Sequence, residues 1–175
     1  MELLEAIAMR KSIRHYKQEQ IKEEELDTIL KAGCAAPIGH GKNELLHLTV
    51  LQDASIRKEL SIRTALLRGT PDYDPLYAAP TIIVVSAQSH EKYQNAEYAS
   101  TACIIENMLL AATDLKIGSV YLWGAALALR LHQELSQKLG IPDSFVPISC
   151  VALGYADIED DVCRELKLSI STNWI

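Results

Sequence analysis

The sequence has little of what marks several protein classes. Aromatic residues make up 6% of the 175 residues, and none of the four cysteines forms a CxxC pair. Seventeen basic residues against 23 acidic ones give a net charge of −6, which argues against a general nucleic-acid binder, because phosphate contacts need an excess of basic residues. No run of 18 apolar residues occurs, so no membrane-spanning segment is expected. Glu2 and Glu5 stand where an export signal would be basic or apolar.

The composition that is present indicates one globular domain. Apolar residues make up 49% of the chain, and no repeat, low-complexity tract or Pro/Gly/Ser-rich linker divides it. We therefore expect a single domain over residues 1–175, with reduced and mostly buried thiols, in the cytoplasm.

Hydrophobic periodicity predicts alternating helices and strands. Helices are expected from the first residues to about Met9, over 22–35, briefly after Asp53, and over 96–116 and 128–139. Strands are expected over 47–52, 81–85, 119–122 and 146–153, and the alternating segment 165–171 is either a half-exposed strand or an extended arm. This order gives mixed α and β structure, but the two opening helices are unlike a doubly wound dinucleotide fold.

The helix predicted over 96–116 is unusually apolar. Between Ala99 and Ala112 only four residues are polar, so the helix should be buried on nearly all sides. In a domain of this size, such burial suggests packing against both its own sheet and a partner subunit.

A cluster of cations follows the first helix. Arg10, Lys11, Ser12 and Arg14 place three cations and a hydroxyl within five residues of an otherwise acidic chain. Guanidinium forks, an ammonium charge and a hydroxyl donor are the groups that bind a phosphate dianion. The alternative is a helix end at which cations complement the helix dipole.

Other local patterns are weaker. The loop Pro37–Lys42 contains Gly39 and Gly41, which would allow the backbone to approach a ligand closely. The loop lacks P-loop spacing, and the alternative interpretation is a simple turn. Trp123 either stacks on a ring or closes the core. The spacing of acidic and cysteine residues around His40 and His47 is not that of a metal site. No hydrolytic motif is present, so in an enzyme a cofactor would carry the chemistry.

Five stretches, in order, resemble the nitroreductase family of FMN-dependent oxidoreductases. They are ELLEAIAMRKSIRHY, AGCAAPIGHGKNELLHLTVL, LYAAPTIIVVSA, ASTACIIENMLLAATDLKIGSVYLWG and LGIPDSFVPISCVALGYAD, and together they extend over about residues 2–157. The first stretch is similar to the family's Arg-Arg-Ser-x-Arg pattern, with Lys11 in place of the second arginine.

The resemblance implies a set of FMN-binding positions. Arg10, Lys11 and Ser12 match positions that hold the phosphate and ribityl chain, and Arg14 matches a basic position near the flavin pyrimidine. Pro37, Ile38 and Gly39 match the loop that reaches FMN from the other subunit. Leu122, Trp123 and Gly124 match the strand-end turn whose backbone faces the flavin. Arg164 matches a late basic residue of the phosphate site.

The resemblance also implies the architecture and the reaction. The fold expected is α+β, with a central, mostly antiparallel sheet flanked by helices, in an intertwined homodimer whose C-terminal strand or arm, at about 164–175, joins the partner's sheet. NADH or NADPH would reduce FMN, and a nitroaromatic, quinone or similar small electrophile would accept the electrons.

The chain departs from the family pattern in the loop and at the strand end. Ile38 replaces the usual serine, KNELL replaces an Asn-x-Gln-Pro-Trp pattern, and Trp123 stands where several members have an acidic residue. A flavin carrier or sensor with little turnover, and a binding module that has lost flavin, are therefore alternative hypotheses. Family relatives that dehydrogenate peptides or dehalogenate their substrates are further alternatives among enzymes.

Overall fold

The computed structural model describes residues 1–89, 94–157 and 162–175. Within these ranges the helices are α1 (Leu3–Met9), α2 (Glu23–Cys34), α3 (Ala54–Leu67), α4 (Ala96–Asp114), α5 (Gly124–Leu131) and α6 (Gln133–Lys138). The strands are β1 (Leu46–Leu51), β2 (Thr81–Ala87), β3 (Gly118–Leu122) and β4 (Val146–Gly154). Two short 3-10 turns, Gly39–Gly41 and Asn43–Leu45, connect α2 to β1. No helix within the described ranges is long and apolar enough to cross a membrane.

The four strands form one antiparallel sheet in the order β1-β2-β4-β3. This arrangement confirms the expected α+β fold with a mostly antiparallel sheet. Every residue of β2 is buried, as its continuous β-branched run predicts for a central strand covered on both faces. On its outer side β1 pairs with no other described strand, so that edge of the sheet is open within the chain.

Helices cover both faces of the sheet, and the residues of β2 alternate between the two cores. Ile82 and Val84 pack with Leu60 of α3 and Leu129 of α5. Ile83 and Val85 pack on the other face against α2 and α4, in a cluster that includes Ile29, Ile105 and Met108. The period of two along the strand therefore assigns each residue to one core.

Within one chain, helix α4 is covered on one face. One face, which includes Ile105 and Met108, is fully buried in the chain. Ala99, Ala102 and Cys103 are exposed on the opposite face. Burial of the remaining face against a partner subunit stays a prediction, and that open face carries small residues together with Glu106.

Two predictions of secondary structure need correction. The helix predicted over 128–139 is two helices, because the chain leaves helical geometry at His132 (φ −121°, ψ 77°), and α5 begins earlier, at Gly124. Trp123 precedes α5 without a capping side chain, so the sequence gives no start signal there. Helix α3 is 14 residues long and not short. Residues 165–171 are exposed and form no strand within the chain, where they are an extended arm, and their pairing with a partner's sheet stays a prediction.

The cysteines are all free, but most are not buried. Cys150 is buried in β4, and burial raises the pKa of its thiol to about 12. Cys34, Cys103 and Cys163 are exposed in the chain, contrary to the expectation of buried thiols.

Gly154, at the end of β4, is packed too closely to carry a side chain. A Cβ atom there would lie 2.6 Å from Pro80 Cδ and 3.0 Å from the Tyr16 ring. Because a proline ring cannot rotate away, Gly154→Ala is expected to lower the free energy of unfolding by about 1–3 kcal/mol. Denaturant unfolding followed by circular dichroism measures this change, and an unchanged midpoint would contradict the close packing.

Candidate cofactor site

Residues 10–14, which we call the cationic segment, run alongside the edge strand β3. Ser12 forms a parallel bridge with Ser119, and the Ile13 amide donates to the Ser119 carbonyl at 2.9 Å. Ile13 packs against the core, whereas Ser12 and Arg14 are exposed. The extended backbone thus alternates its side chains, and it presents the Ser12 hydroxyl and the Arg14 guanidinium on the same side.

The structure places Arg164 at the end of α1, beside Arg10. The Arg164 amide donates to the Ala8 carbonyl at 3.2 Å, and its Nη2 donates to the Ile7 carbonyl at 2.9 Å. Arg10 is the residue that follows α1 and caps it. Arg10 and Arg164, which are 154 residues apart in the sequence, therefore adjoin the same helix end, where the helix dipole favours positive charge.

Lys11 faces a different space from its neighbours. It lines a cavity of about 530 Å³ together with Ile13, Lys17 and Gly118, and Arg10, Ser12 and Arg14 are absent from the lining. Lys11 and Ile13 thus point to one side of the extended segment, and Ser12 and Arg14 point to the other. The four cationic-segment residues predicted for FMN do not share one surface.

The turn Leu122–Gly124 lies at the far end of β3, roughly 13 Å along the strand from Ser119. Leu122 is buried, whereas Trp123 is 52% exposed and stacks on Tyr98 with ring centroids 6.1 Å apart. The Arg130 guanidinium lies 5.9 Å from the Trp123 ring centroid and donates to the Pro147 and Ile148 carbonyls. Trp123 therefore forms a surface aromatic stack and does not close the core.

The loop Pro37–Gly39 lies at the opposite end of α4 from the cationic segment. The Gly39 amide donates to Ser100 Oγ at 3.0 Å, in the first turns of α4. The Met1 amino group pairs with Asp114 at 2.7 Å and so ties α1 to the other end of α4. A helix of 19 residues is roughly 28 Å long. One chain therefore does not bring Pro37, Ile38 and Gly39 to Arg10, as expected if the loop serves the other subunit's site.

Three residues that the sequence analysis missed connect Arg14 to the Leu122–Gly124 turn. The Arg14 guanidinium lies 5.8 Å from the Tyr77 ring centroid, and Tyr77 makes an edge-on contact with Tyr73 at 6.0 Å. The Arg68 guanidinium lies 6.0 Å from the Tyr73 ring centroid, and Arg68 Cδ is 3.7 Å from the position a Cβ would take on Gly124. We call Arg14, Tyr77, Tyr73 and Arg68 the Arg–Tyr row.

The Arg–Tyr row changes the acidity of its phenols. Burial alone would raise the pKa of Tyr77, but hydrogen bonds from Tyr73 and Arg14 and the two guanidinium charges bring that pKa below its usual value. The hydrogen bond with Tyr77 raises the pKa of Tyr73. The only sequence signal for this arrangement is the pair of tyrosines in the DYDPLY segment.

Comparison with known proteins identifies the family. The family model described as the nitroreductase family matches residues 7–155. The chain belongs to this family. Every position of the predicted cofactor site except Arg164 lies inside the matched range.

Individual nitroreductases agree with this assignment. An archaeal protein from Archaeoglobus fulgidus, named as an NADH dehydrogenase/NAD(P)H nitroreductase, is 34% identical over 161 residues, which cover 91% of this chain and 88% of that protein. The crystal structure of a nitroreductase with bound FMN from Bacteroides fragilis has 32% identity and a TM-score of 0.84, and covers 100% of this chain and 98% of the other. A nitroreductase with bound FMN from Desulfitobacterium hafniense, at 22% identity, shares the fold with a TM-score of 0.83 over 99% of this chain and 97% of the other.

The contact between Arg14 and Tyr77 can be tested by titration. A nearby guanidinium charge stabilises the phenolate, so Arg14→Gln is expected to raise the pKa of the Tyr77 phenol. NMR titration of ¹³C-labelled tyrosine measures the shift, with Tyr77→Phe assigning the signal. Arg63→Gln, on α3, makes the same charge change away from Tyr77 and should leave that pKa unaltered. An equal shift in both variants would contradict a direct contact.

Proposed function

We infer that the protein is an FMN-dependent oxidoreductase that takes electrons from NADH or NADPH and passes them to a nitroaromatic, a quinone or a similar small electrophile. The main support is the path along β3. It begins at Arg10, Ser12 and Arg164, passes Arg14, and ends at the exposed turn Trp123–Gly124. An anion-binding end and a ring-binding end, joined by one extended strand, suit an elongated phosphorylated flavin.

At the first end, the residues fit a phosphate dianion. Arg10 and Arg164 adjoin one helix end, and Ser12 contributes an exposed hydroxyl. Guanidinium groups form paired, charge-assisted hydrogen bonds with phosphate oxygens, and these are stronger than bonds between neutral groups. Lys11 would add charge from the cavity side and not as a direct ligand.

At the second end, the residues fit the flavin ring. Arg14 would hold positive charge near the pyrimidine, where it stabilises the negative charge of a reduced ring. Gly124 follows the exposed Trp123, so backbone groups there are accessible at close range. When bound, FMN supplies the hydride-transfer chemistry, and the protein supplies positioning, charge and exclusion of water.

A second copy of the chain would complete this site. Because Pro37–Gly39 and Arg10 lie at opposite ends of α4, packing two α4 helices antiparallel through their open faces would bring the partner subunit's loop toward the cationic segment. The exposed arm 162–175 carries apolar side chains whose burial against another surface would be favourable, including Leu168, Ile170 and Trp174. These features support an intertwined homodimer with an FMN site at each end of the interface.

The cellular location also follows from the chemistry of the chain. Four cysteines without a disulfide between them suit a reducing compartment, and we infer the cytoplasm.

The spectrum of the purified protein tests the proposed function. A yellow protein whose flavin absorbance bleaches on anaerobic addition of NADH or NADPH is expected. A yellow protein that neither donor bleaches would point to the carrier or sensor, which the atypical residues after Pro37 allow. A colourless protein that does not bind added FMN would exclude both functions.

Arg10→Ala is expected to weaken FMN binding roughly 10- to 150-fold, the loss that follows when a charge-assisted contact of about 1.5–3 kcal/mol is removed. The fold should remain, since Arg10 follows α1 and lies outside both cores. Titration of apoprotein with FMN, followed by flavin fluorescence, gives the dissociation constant. Lys58→Ala removes an exposed cation from α3 and serves as the control. Unchanged affinity in Arg10→Ala would remove this residue from the site.

The dimer is tested at the open face of α4. Ala102→Arg introduces a long charged side chain at an exposed position, so a folded monomer that has also lost FMN is expected. Ile62→Arg makes the same kind of change at an exposed apolar residue of α3, and this variant should stay dimeric. Sedimentation velocity with detection at both a protein wavelength and a flavin wavelength reports the two properties. A flavin-loaded wild-type monomer would refute the proposed assembly.

A further inference from the structure

Arg68 stands at the rim of the proposed flavin-ring end. It follows the last residue of α3, a helix whose start is fixed by two backbone amides that donate to Asp53. Its Cδ and Thr64 Cγ2 lie 3.7 Å and 3.4 Å from the position of a Cβ on Gly124. The side chain therefore begins beside the turn that would face the flavin, and it is exposed.

The Arg68 guanidinium has an aromatic neighbour but no acidic partner. It lies over the Tyr73 ring, and no ion pair joins it to a carboxylate within the described ranges. Two other cations on this side of the sheet, Arg63 and Lys138, do approach a carboxylate, that of Glu59, at 4.0 Å and 2.8 Å. In a chain of net charge −6, an uncompensated cation next to the proposed site is a distinctive feature.

The loop under Arg68 is held rigidly. Asp74 accepts from the Leu76 and Ala78 amides and from Ser61 Oγ, at 2.9, 2.6 and 2.5 Å. These bonds keep Tyr77 and Ala78 at φ of +58° and +52°, a left-handed conformation that costs free energy in residues other than glycine. Tyr73, which is 45% exposed, is thereby presented at a fixed place beside the guanidinium.

We propose that Arg68 and Tyr73 form an acceptor subsite that selects planar aromatic acceptors carrying an anionic substituent, such as a carboxylate or a sulfonate. The Tyr73 ring offers a face for an aromatic acceptor, and the guanidinium offers paired donors for the anion. Arg14, at the other end of the Arg–Tyr row, contacts Tyr77 and would contact the pyrimidine of the proposed flavin. This subsite rests on the proposed function, because the acceptor must meet reduced flavin at the same turn.

The position of Arg68 favours the acceptor over the phosphate of NADPH. The reacting nicotinamide of a dinucleotide is separated from its 2′-phosphate by two riboses and a pyrophosphate. A residue that adjoins Gly124 lies near the reacting part of the proposed flavin ring. A compact acceptor places its substituents there, whereas a dinucleotide that docks its nicotinamide at the ring places its 2′-phosphate much farther away.

The kinetic test compares two acceptors of nearly equal size. The holoenzyme is assayed with 4-nitrobenzoate and with the neutral 4-nitrobenzamide, at fixed NADH. Arg68→Gln is expected to lower kcat/KM for the carboxylate roughly 3- to 10-fold, a modest loss because the guanidinium is exposed, and to change the amide less than two-fold. Added salt should reduce the wild-type advantage for the carboxylate. Arg63→Gln, with the same charge change on α3, should leave the ratio of the two acceptors unchanged.

A binding test separates recognition from turnover. Benzoate and benzamide cannot be reduced in the same way, so their affinities for the oxidised holoenzyme can be measured by calorimetry in wild type, Arg68→Gln and Tyr73→Leu. Loss of benzoate affinity in Arg68→Gln, and of affinity for both compounds in Tyr73→Leu, supports the subsite.

Each contrary result has a distinct meaning. Equal effects of Arg68→Gln on carboxylate and amide, or an effect only on the ratio of NADPH to NADH in flavin reduction, would overturn the subsite while leaving the proposed function intact. A protein that neither binds FMN nor is bleached by NADH or NADPH would refute the proposed function itself.

Discussion

The short backbone contact between the cationic segment and β3 is the constraint on which the candidate site depends. One amide of Ile13 bonds to Ser119 and fixes the register of an otherwise irregular segment against a core strand. This register places Ser12 and Arg14 on one side and Lys11 on the other, and it aligns the segment with the strand that leads to Trp123. Tyr16 holds the same segment from within the core, because its hydroxyl donates to the Ile13 carbonyl at 2.7 Å.

The sequence was informative where one pattern has one structural cause. The β-branched run of β2 and the apolar stripe of α2 follow directly from burial, so both elements lie where they were predicted. The cationic segment was conspicuous because an acidic chain rarely concentrates positive charge. The juxtaposition of Arg164 and Arg10 was not visible in the residues alone, because it depends on the chain returning to α1 after the last core strand. Only the family resemblance implied Arg164, as a late basic residue of the phosphate site.

What the sequence could not predict is set by tertiary contacts of loops. Arg68, Tyr73 and Tyr77 come together because Asp74 imposes left-handed backbone geometry, and no periodicity encodes such a turn. The break at His132 was hidden because the residues on both sides favour helix. For the open face of α4 the composition does not decide between a surface and an interface, because alanine and cysteine are apolar in a composition count but are tolerated at both.

The length of α4 has a genetic consequence. Since a single helix separates the loop at Pro37–Gly39 from Arg10, each cofactor site of the proposed dimer would draw its phosphate cradle from one protomer and its loop from the other. A protomer damaged only at Arg10 and a protomer damaged only at the loop would each form homodimers with two defective sites. Mixed dimers of the two would contain one site with both defects and one with neither, so co-expression of the two variants would restore part of the function that each has lost.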